Sequence, residues 1–354
     1  MMSKSVYRAV IVGLTGIGAR RPEDDPNLPI YGLHPSSHAG AYWKHPKTEV
    51  VAVCDLRQEA LTEFKDSWGD VWPDIGLYTD YREMLKKEQP DLVSVVTSDH
   101  FHADITVAAA ELRARGIFCE KPIATCLEDA DRMIAAAEAN GVCLSVDHTR
   151  RWYPSHLQAR EIIRSGEIGE LRTIVCDMCG PRAMLFRNGT HMIDMICFYA
   201  GSAARWVVGD LEEGFEEFTE YKAGGGKVAE EDPHASAFIK FKNGVRAFLN
   251  VYKVDFHPDL TFTMTCDTGR VVALDSSVSL IRSRERQQDT TPVKQRGYSQ
   301  AYQTAALTEM IDVIENGGAL ISDGREARKT LEIMLGILKS HEEGNRRVDF
   351  PISD

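Results

Sequence analysis

The chain has 354 residues, of which 43% are hydrophobic and 27% charged, and a formal net charge of -12. That length suits about two domains with a core each, and the acidic balance argues against a nucleic-acid partner, because phosphate contacts need a basic surface. No apolar run reaches a membrane span, and residues 1–5 lead into a strand pattern rather than a secretory leader, so a cytoplasmic protein is expected. The 8 cysteines do not form a disulfide framework in a chain this long. Cys176 and Cys179 make a lone C-x-x-C with no second ligand pair, so an ordinary strand and no metal site are expected.

Residues 6–12 form an apolar strand pattern, followed by Gly13-Leu14-Thr15-Gly16-Ile17-Gly18. This is close to the G-x-G-x-x-G loop that brings backbone amides to a pyrophosphate, with Thr15 replacing the middle glycine. A side chain there holds the phosphate further off or offers its hydroxyl. Pro22, Pro26, Pro29 and Pro35 exclude a continuous helix over 20–37, which reads as an inserted surface loop. A helical pattern resumes at His38, and strand 49–54 ends in Asp55. An acid at the end of the second strand binds the adenosine ribose hydroxyls and disfavours a 2′-phosphate, which favours NAD over NADP. Arg57, Arg20 and Arg21 stand nearby as groups that could accommodate a phosphate instead.

Helices are expected over 58–68 and 81–87, and a buried strand over 92–96. That strand opens into Thr97-Ser98-Asp99-His100-Phe101-His102, where His102 is either a site residue or the first residue of a helix. The helix at 103–115 is expected to stop at Gly116. The next run, Gly116-Ile117-Phe118-Cys119-Glu120-Lys121-Pro122, is a short strand closed by a proline. Lys121 therefore lies at a strand's carboxyl end, the edge where open α/β sheets bind ligands. Thr125 and Glu128 read as a capping box for a helix to Asn140, with a further strand at 142–146. This alternation predicts a doubly wound parallel sheet.

Asp147-His148-Thr149-Arg150-Arg151-Trp152-Tyr153-Pro154 is the expected crossover between a dinucleotide domain over 1–148 and a second domain over 149–354. Arg150 there either binds a polyhydroxylated ligand or sits in an ion-paired hinge. A helix at 155–164 and a strand at 171–179 follow. His191 and Asp194 share one face of an apolar helix, so Asp194 could orient the imidazole. Asn243-Gly244 joins two β-patterned runs as a hairpin, a second hairpin turns at Asp267-Thr268-Gly269, and helices at 301–315 and 326–340 close the chain.

Together Gly13-x-x-Gly16-x-Gly18, Asp55, the Thr97 loop with His102, Glu120-Lys121-Pro122, and Gly189-Thr190-His191-Met192-Ile193-Asp194 resemble the glucose-fructose oxidoreductase / inositol dehydrogenase (Gfo/Idh/MocA) family. Gly344-Asn345-Arg346-Arg347-Val348-Asp349-Phe350-Pro351 is similar to that family's closing segment. The resemblance implies an N-terminal Rossmann domain and a C-terminal α/β domain with a large open antiparallel sheet, used in many members to form homodimers or homotetramers. It further implies a nicotinamide cofactor and a sugar, inositol or polyol substrate, with Lys121 and His191 at positions of proton transfer and substrate binding. Many inositol dehydrogenase-like members carry an aspartate four residues before the histidine; this chain has Arg187, which changes the relay expected there.

The expected function is an NAD-dependent dehydrogenase of a sugar or polyol CH–OH group. Its catalytic residues are Lys121 and His191, and Arg150, Arg187 and Asp194 join them on the substrate. Gly13, Thr15, Gly16, Ile17, Gly18, Asp55, Arg57, Thr97, Ser98, His102, Glu120 and Lys121 are expected to face the cofactor. Two alternatives use the same residues: an enzyme that cleaves glycosides through transient oxidation with no net redox change, and a noncatalytic sugar sensor.

Overall fold

The computed structural model describes residues 6–22, 37–223, 229–255, 259–284, 287–294, 300 and 302–352. Two compact units emerge, one formed by 1–149 with 299–325 and the other by 150–298 with 326–354.

In the first unit six strands form one parallel sheet: β1 (Tyr7–Val12), β2 (Thr48–Cys54), β3 (Gly76–Tyr78), β4 (Leu92–Val95), β5 (Gly116–Cys119) and β6 (Cys143–Val146). Their order, β3-β2-β1-β4-β5-β6, is that of the doubly wound dinucleotide folds. The central strands are apolar without alternation because helices cover both faces: Ala9, Val10, Ile11, Leu92, Val93 and Val95 are wholly buried. The crossovers are α1 (His38–Lys44), α2 (Gln58–Trp68), α3 (Tyr81–Glu88), α4 (His102–Glu111) and α5 (Leu127–Asn140).

Of the expected 20–37 insertion, residues 23–36 lie outside the described residues. Its ends meet: Ser37 Oγ donates to the Arg20 carbonyl at 2.6 Å and accepts from Gly40 N as the cap of α1. His38 N and Ala39 N donate to the carbonyls of Ile17 and Gly18, so α1 docks on the glycine loop despite the intervening chain.

Two local expectations fail. The capping box at Thr125 does not form, because α5 begins one residue later with Cys126 as its cap and no side-chain capping bond. Gly116 does not end α4, which stops at Glu111; it opens β5, where a Cβ would lie 2.8 Å from Met310 Sδ. Its small size serves packing against a distant helix rather than a turn.

In the second unit, α6 (Pro154–Arg164) and α7 (Thr190–Ala200) accompany a nine-stranded sheet. Its strands are β7 (Leu171–Cys179), β8 (Ala204–Leu211), β9 (Ala235–Phe241), β10 (Arg246–Tyr252), β11 (Asp259–Cys266), β12 (Gly269–Ala273), β13 (Val278–Arg284), β14 (Gln287–Pro292) and β15 (Val348–Asp349). Every neighbouring pair is antiparallel except β7 with β10. Both expected hairpins are present, β9–β10 turning through Asn243-Gly244 and β11–β12 at Asp267-Thr268. β10 alternates buried and exposed residues as a sheet with one covered face requires. Cys176 and Cys179 lie in β7, and all cysteines are free thiols.

The chain does not divide into two consecutive halves. Helix α8 (Tyr302–Asn316) belongs to the first unit, where it packs on α1, β5 and β6, while α9 (Gly324–Glu342) runs mostly within the second. Among the described residues no helix is long and apolar enough to cross a membrane.

Candidate active site

In the first unit the expected cofactor residues gather at the carboxyl edge of the parallel sheet. Gly13 ends β1 at φ +97°, and a Cβ there would fall 2.3 Å from the Val96 carbonyl oxygen, so only glycine fits between β1 and β4. Gly16, at φ +51°, has no atom within 4 Å of where its Cβ would be, leaving open space over the loop backbone. Thr15, Gly16 and Ile17 are exposed, while Gly18 packs a missing Cβ against the Gly13 carbonyl. Asp55 follows β2: its Oδ2 accepts from Leu14 N at 3.0 Å and its Oδ1 from Arg57 N at 3.0 Å. The carboxylate thus ties the glycine loop to the second strand and keeps lone pairs for ribose hydroxyls. A tight, open glycine loop braced by a strand-end acid fits a dinucleotide. Arg21 instead pairs with Asp70 at 2.6 Å, over the Trp43 and Trp68 rings.

Thr97 and Ser98 are half-buried at the end of β4. His102 does not join them as a ligand. It is fully buried, with Nδ1 3.0 Å from the Pro122 carbonyl and Nε2 3.2 Å from the Thr97 carbonyl. Burial alone would lower its pKa, but Cys119, Asp99 and the Thr97 carbonyl outweigh that and raise it to about 10. His102 is a brace that ties the Thr97 loop to the Glu120-Lys121-Pro122 turn.

Lys121 lies two residues past β5, half-buried, with its backbone N–H 3.3 Å from Glu120 Oε2. Glu120 itself is 8% exposed, too buried to offer the cofactor more than an edge, and it faces His38 and Asp147 inside the unit. These two partners were not among the expected site residues. The signal available for Asp147 was a polar residue directly after a buried strand at the ligand edge.

In the second unit His191 occupies the first turn of α7, is 7% exposed, and follows a π-helical turn at Leu185–Gly189. Asp232, 1% exposed, accepts the amides of Phe186 and Arg187 at 2.9 to 3.1 Å and so fixes that turn. Arg187 is half-buried within it.

Asp194 and Arg150, expected on the substrate, are both engaged by protein partners. Asp194 is wholly buried: Arg151 Nε and Nη2 donate to its two oxygens at 2.8 and 2.9 Å, and Thr330 Oγ1 lies 3.2 Å away. Arg150 donates through Nε and Nη2 to both oxygens of Asp275 at 3.0 Å. Of the two readings of 147–154, the arginines follow the ion-paired one, since a buried guanidinium needs a carboxylate.

His156 Nε2 lies 2.9 Å from Asp275 Oδ1. Burial pushes the Asp275 carboxyl up, but Arg150 and then His156 outweigh it and hold it at about 2, below its ordinary 3.8. The fold therefore favours the ionised form, so this stabilisation is complete above the ordinary value and is lost as pH falls through the folded one. In urea titrations taken from about pH 5 down to about pH 2, wild type should lose more stability than Asp275→Asn; parallel losses refute the assignment.

The sequence matches two family profiles, "Oxidoreductase family, NAD-binding Rossmann fold" over residues 31–148 and "GFO/IDH/MocA C-terminal domain" over 156–272. The chain belongs to this oxidoreductase family. It is 30% identical to D-apiose dehydrogenase of Paraburkholderia graminis over 51% of this chain and 48% of the relative. It is 25% identical to Myo-inositol 2-dehydrogenase of Thermotoga maritima over 82% of this chain and 88% of the relative. The first of these matches therefore spans about half of each protein. Aldose-aldose oxidoreductase of Caulobacter crescentus superposes with a TM-score of 0.77 over 98% of this chain and 100% of that one, at 18% identity, a likeness of fold. Asp55 and the Glu120-Lys121-Pro122 turn lie within the residues matched to the NAD-binding Rossmann profile, and the family expected from the motifs is the family found.

Proposed function

We propose that the protein oxidises a CH–OH carbon of a sugar, inositol or related polyol with NAD, or runs the reverse reduction. The observation that carries this reading is Lys121, half-buried at the carboxyl end of β5 in the same unit as the dinucleotide loop. Relatives named as apiose and myo-inositol dehydrogenases support the substrate class. NAD, when bound, supplies hydride acceptance at its nicotinamide ring. The backbone of Gly13 to Gly18 holds the pyrophosphate, and Asp55 accepts from the ribose hydroxyls. Thr97 and Ser98, half-buried at the end of β4, would also hold the cofactor. Lys121 takes the hydroxyl proton as the carbon loses hydride, so that a ketone forms and charge balances. His191 is assigned the second proton-handling or orienting role on the substrate, and Arg187 a contact with its hydroxyls. The test is to mix the protein and NAD with sugars, inositols and glycosides while recording reduced-nicotinamide absorbance together with product identity. A keto product with accumulating reduced cofactor establishes the reading; a cleaved glycoside without net reduction overturns it.

Asp55 assigns NAD rather than NADP, since a 2′-phosphate would meet its carboxylate at close range. Asp55→Ser should shift the NAD-to-NADP affinity ratio about tenfold or more toward NADP, because a charge-assisted hydrogen bond of about 1.5–3 kcal/mol is lost with NAD and a repulsion is removed with NADP. Binding titrations with both cofactors check this, and an unchanged ratio refutes it.

We also assign self-association to the nine-stranded sheet. Phe248 and Tyr252 are 42% and 46% exposed on β10, and the Phe248 ring stacks on Phe238 at 4.9 Å. Adjacent exposed aromatics of this kind mark an interface. Light scattering should find a dimer or tetramer.

A further inference from the structure

In the second unit, the π-helical turn Leu185–Gly189 runs straight into α7. Gly189 (φ -59°) and Thr190 (φ -53°) at the junction are both helical, so Arg187 and His191 ride on one continuous helix. The Met184 carbonyl accepts from Asn188 N at 3.1 Å and from Gly189 N at 2.8 Å. The first bond has the α spacing and the second, shorter one the π spacing, so the turn stands between two registers.

The groups that favour the π register come from far along the chain. A helix start leaves its first amides without helical acceptors. Here Leu185 N donates to the Pro233 carbonyl at 2.7 Å, Phe186 N lies 3.1 Å from both oxygens of Asp232, and Arg187 N donates to Asp232 Oδ2 at 2.9 Å. Two consecutive residues thus take three consecutive amides. They are anchored to the nine-stranded sheet. Lys253, just past β10, donates to the Asp232 carbonyl at 3.2 Å and pairs with Glu212, just past β8, whose backbone N–H donates to the His234 carbonyl at 3.1 Å. The Tyr221 ring lies 3.7 Å from that of Phe186 and parallel to it within 2°. Asp232 is 1% exposed, and a buried carboxylate is a strong cap because its charge faces the positive end of the helix and its oxygens only accept.

We propose that Asp232 is a positioning residue for substrate: its carboxylate holds the turn in the π register and thereby sets Arg187 relative to His191, given the substrate roles assigned to those two residues above. A π turn carries one residue more than an α turn, so relaxation to plain α rotates Arg187 about the helix axis by about 100° relative to His191. The backbone transmits the effect.

The test takes two readouts on the full-length protein. Hydrogen exchange followed by mass spectrometry reads the cap without substrate: in Asp232→Ala the amides of 185–189 should exchange about tenfold faster or more, while those of Ile193 to Phe198 keep wild-type rates. Kinetics reads the positioning, using whichever of myo-inositol, D-glucose and methyl β-D-glucoside wild type oxidises fastest. In Asp232→Ala its KM should rise and kcat/KM fall by about 10²-fold, while NAD binds with wild-type Kd and stoichiometry. A merely unfolded fraction would lower kcat and the NAD stoichiometry together and leave KM in place. Asp232→Asn, which keeps one of the two oxygens, should fall between wild type and Asp232→Ala on both readouts. Unchanged exchange over 185–189 in folded Asp232→Ala overturns the cap, and faster exchange with unchanged KM and kcat/KM overturns the positioning. If Asp232→Ala does not fold, Asp232→Asn carries both readouts, and a wild-type value in either overturns the proposal. Unchanged kcat/KM in both Arg187→Ala and His191→Ala would end the substrate roles, and the proposal with them, yet leave the exchange result standing, so the two failures are distinguishable.

Discussion

Lys121→Ala should lower kcat/KM by about 10²–10⁴-fold, the range expected when a positioned acid–base group is removed. NAD binding should survive. Lys121 stands past the end of β5, whereas the proposed cofactor grip, the glycine loop after β1 and Asp55 after β2, is held by its own contacts. The loss should fall on kcat, since an interaction that strengthens as the hydroxyl proton departs contributes more to the transition state than to the bound substrate. Lys121→Arg is the sharper variant: it keeps a positive charge but cannot become a base near neutrality. It should be nearly as inactive as the alanine variant while binding substrate better. Stopped-flow turnover with a responsive polyol, set beside NAD titration of the same variants, makes the comparison. Near wild-type turnover in either variant would remove Lys121 from the chemistry.

Asp194→Ala should destabilise the protein by about 3–5 kcal/mol, the cost of stranding a buried charge. The stranded group is the Arg151 guanidinium, which is 1% exposed and sits against the Phe198 ring, with Glu326 a second acidic neighbour at 3.3 Å. Near Tm, each kcal/mol corresponds to about 2–4 °C for a unit of this size, so calorimetry resolves the effect easily. The double variant Arg151→Met/Asp194→Leu should recover much of the loss, because replacing both members of a buried pair with apolar groups is often neutral. This pattern separates a structural Asp194 from one that orients His191 or touches substrate. A folded Asp194→Ala variant with unchanged Tm but collapsed turnover would reinstate the sequence-based expectation.

Those two residues show what residue order conveys and what it hides. Lys121 was legible because its setting is local: an apolar run of strand length, a proline that stops it, and a position in an alternating β/α series. The same kind of local signal carried the glycine loop, Asp55, five strands of the parallel sheet and the Asn243-Gly244 hairpin, whereas the three-residue β3 was missed. Strand β8 was missed although Trp206, Val207 and Val208 lie in a β-patterned run, and β13, β14 and β15 were missed as well. Their residues are mixed, and pairing with neighbours defines them.

The glucose-fructose oxidoreductase / inositol dehydrogenase membership and the Rossmann sheet were determined by the sequence itself, since side-chain periodicity and turn chemistry act within a few residues. Only the tertiary structure decided the partners. His102 became a brace because the Thr97 and Pro122 carbonyls converge on it. Arg150 and Arg151 chose Asp275 and Asp194 across 125 and 43 residues of chain, and α8 returned to the first unit to bring Gln303 to Asp147 across 156. Such pairings have no period in the sequence. They follow from which groups folding brings together away from water, where each buried charge or polar atom must find a partner.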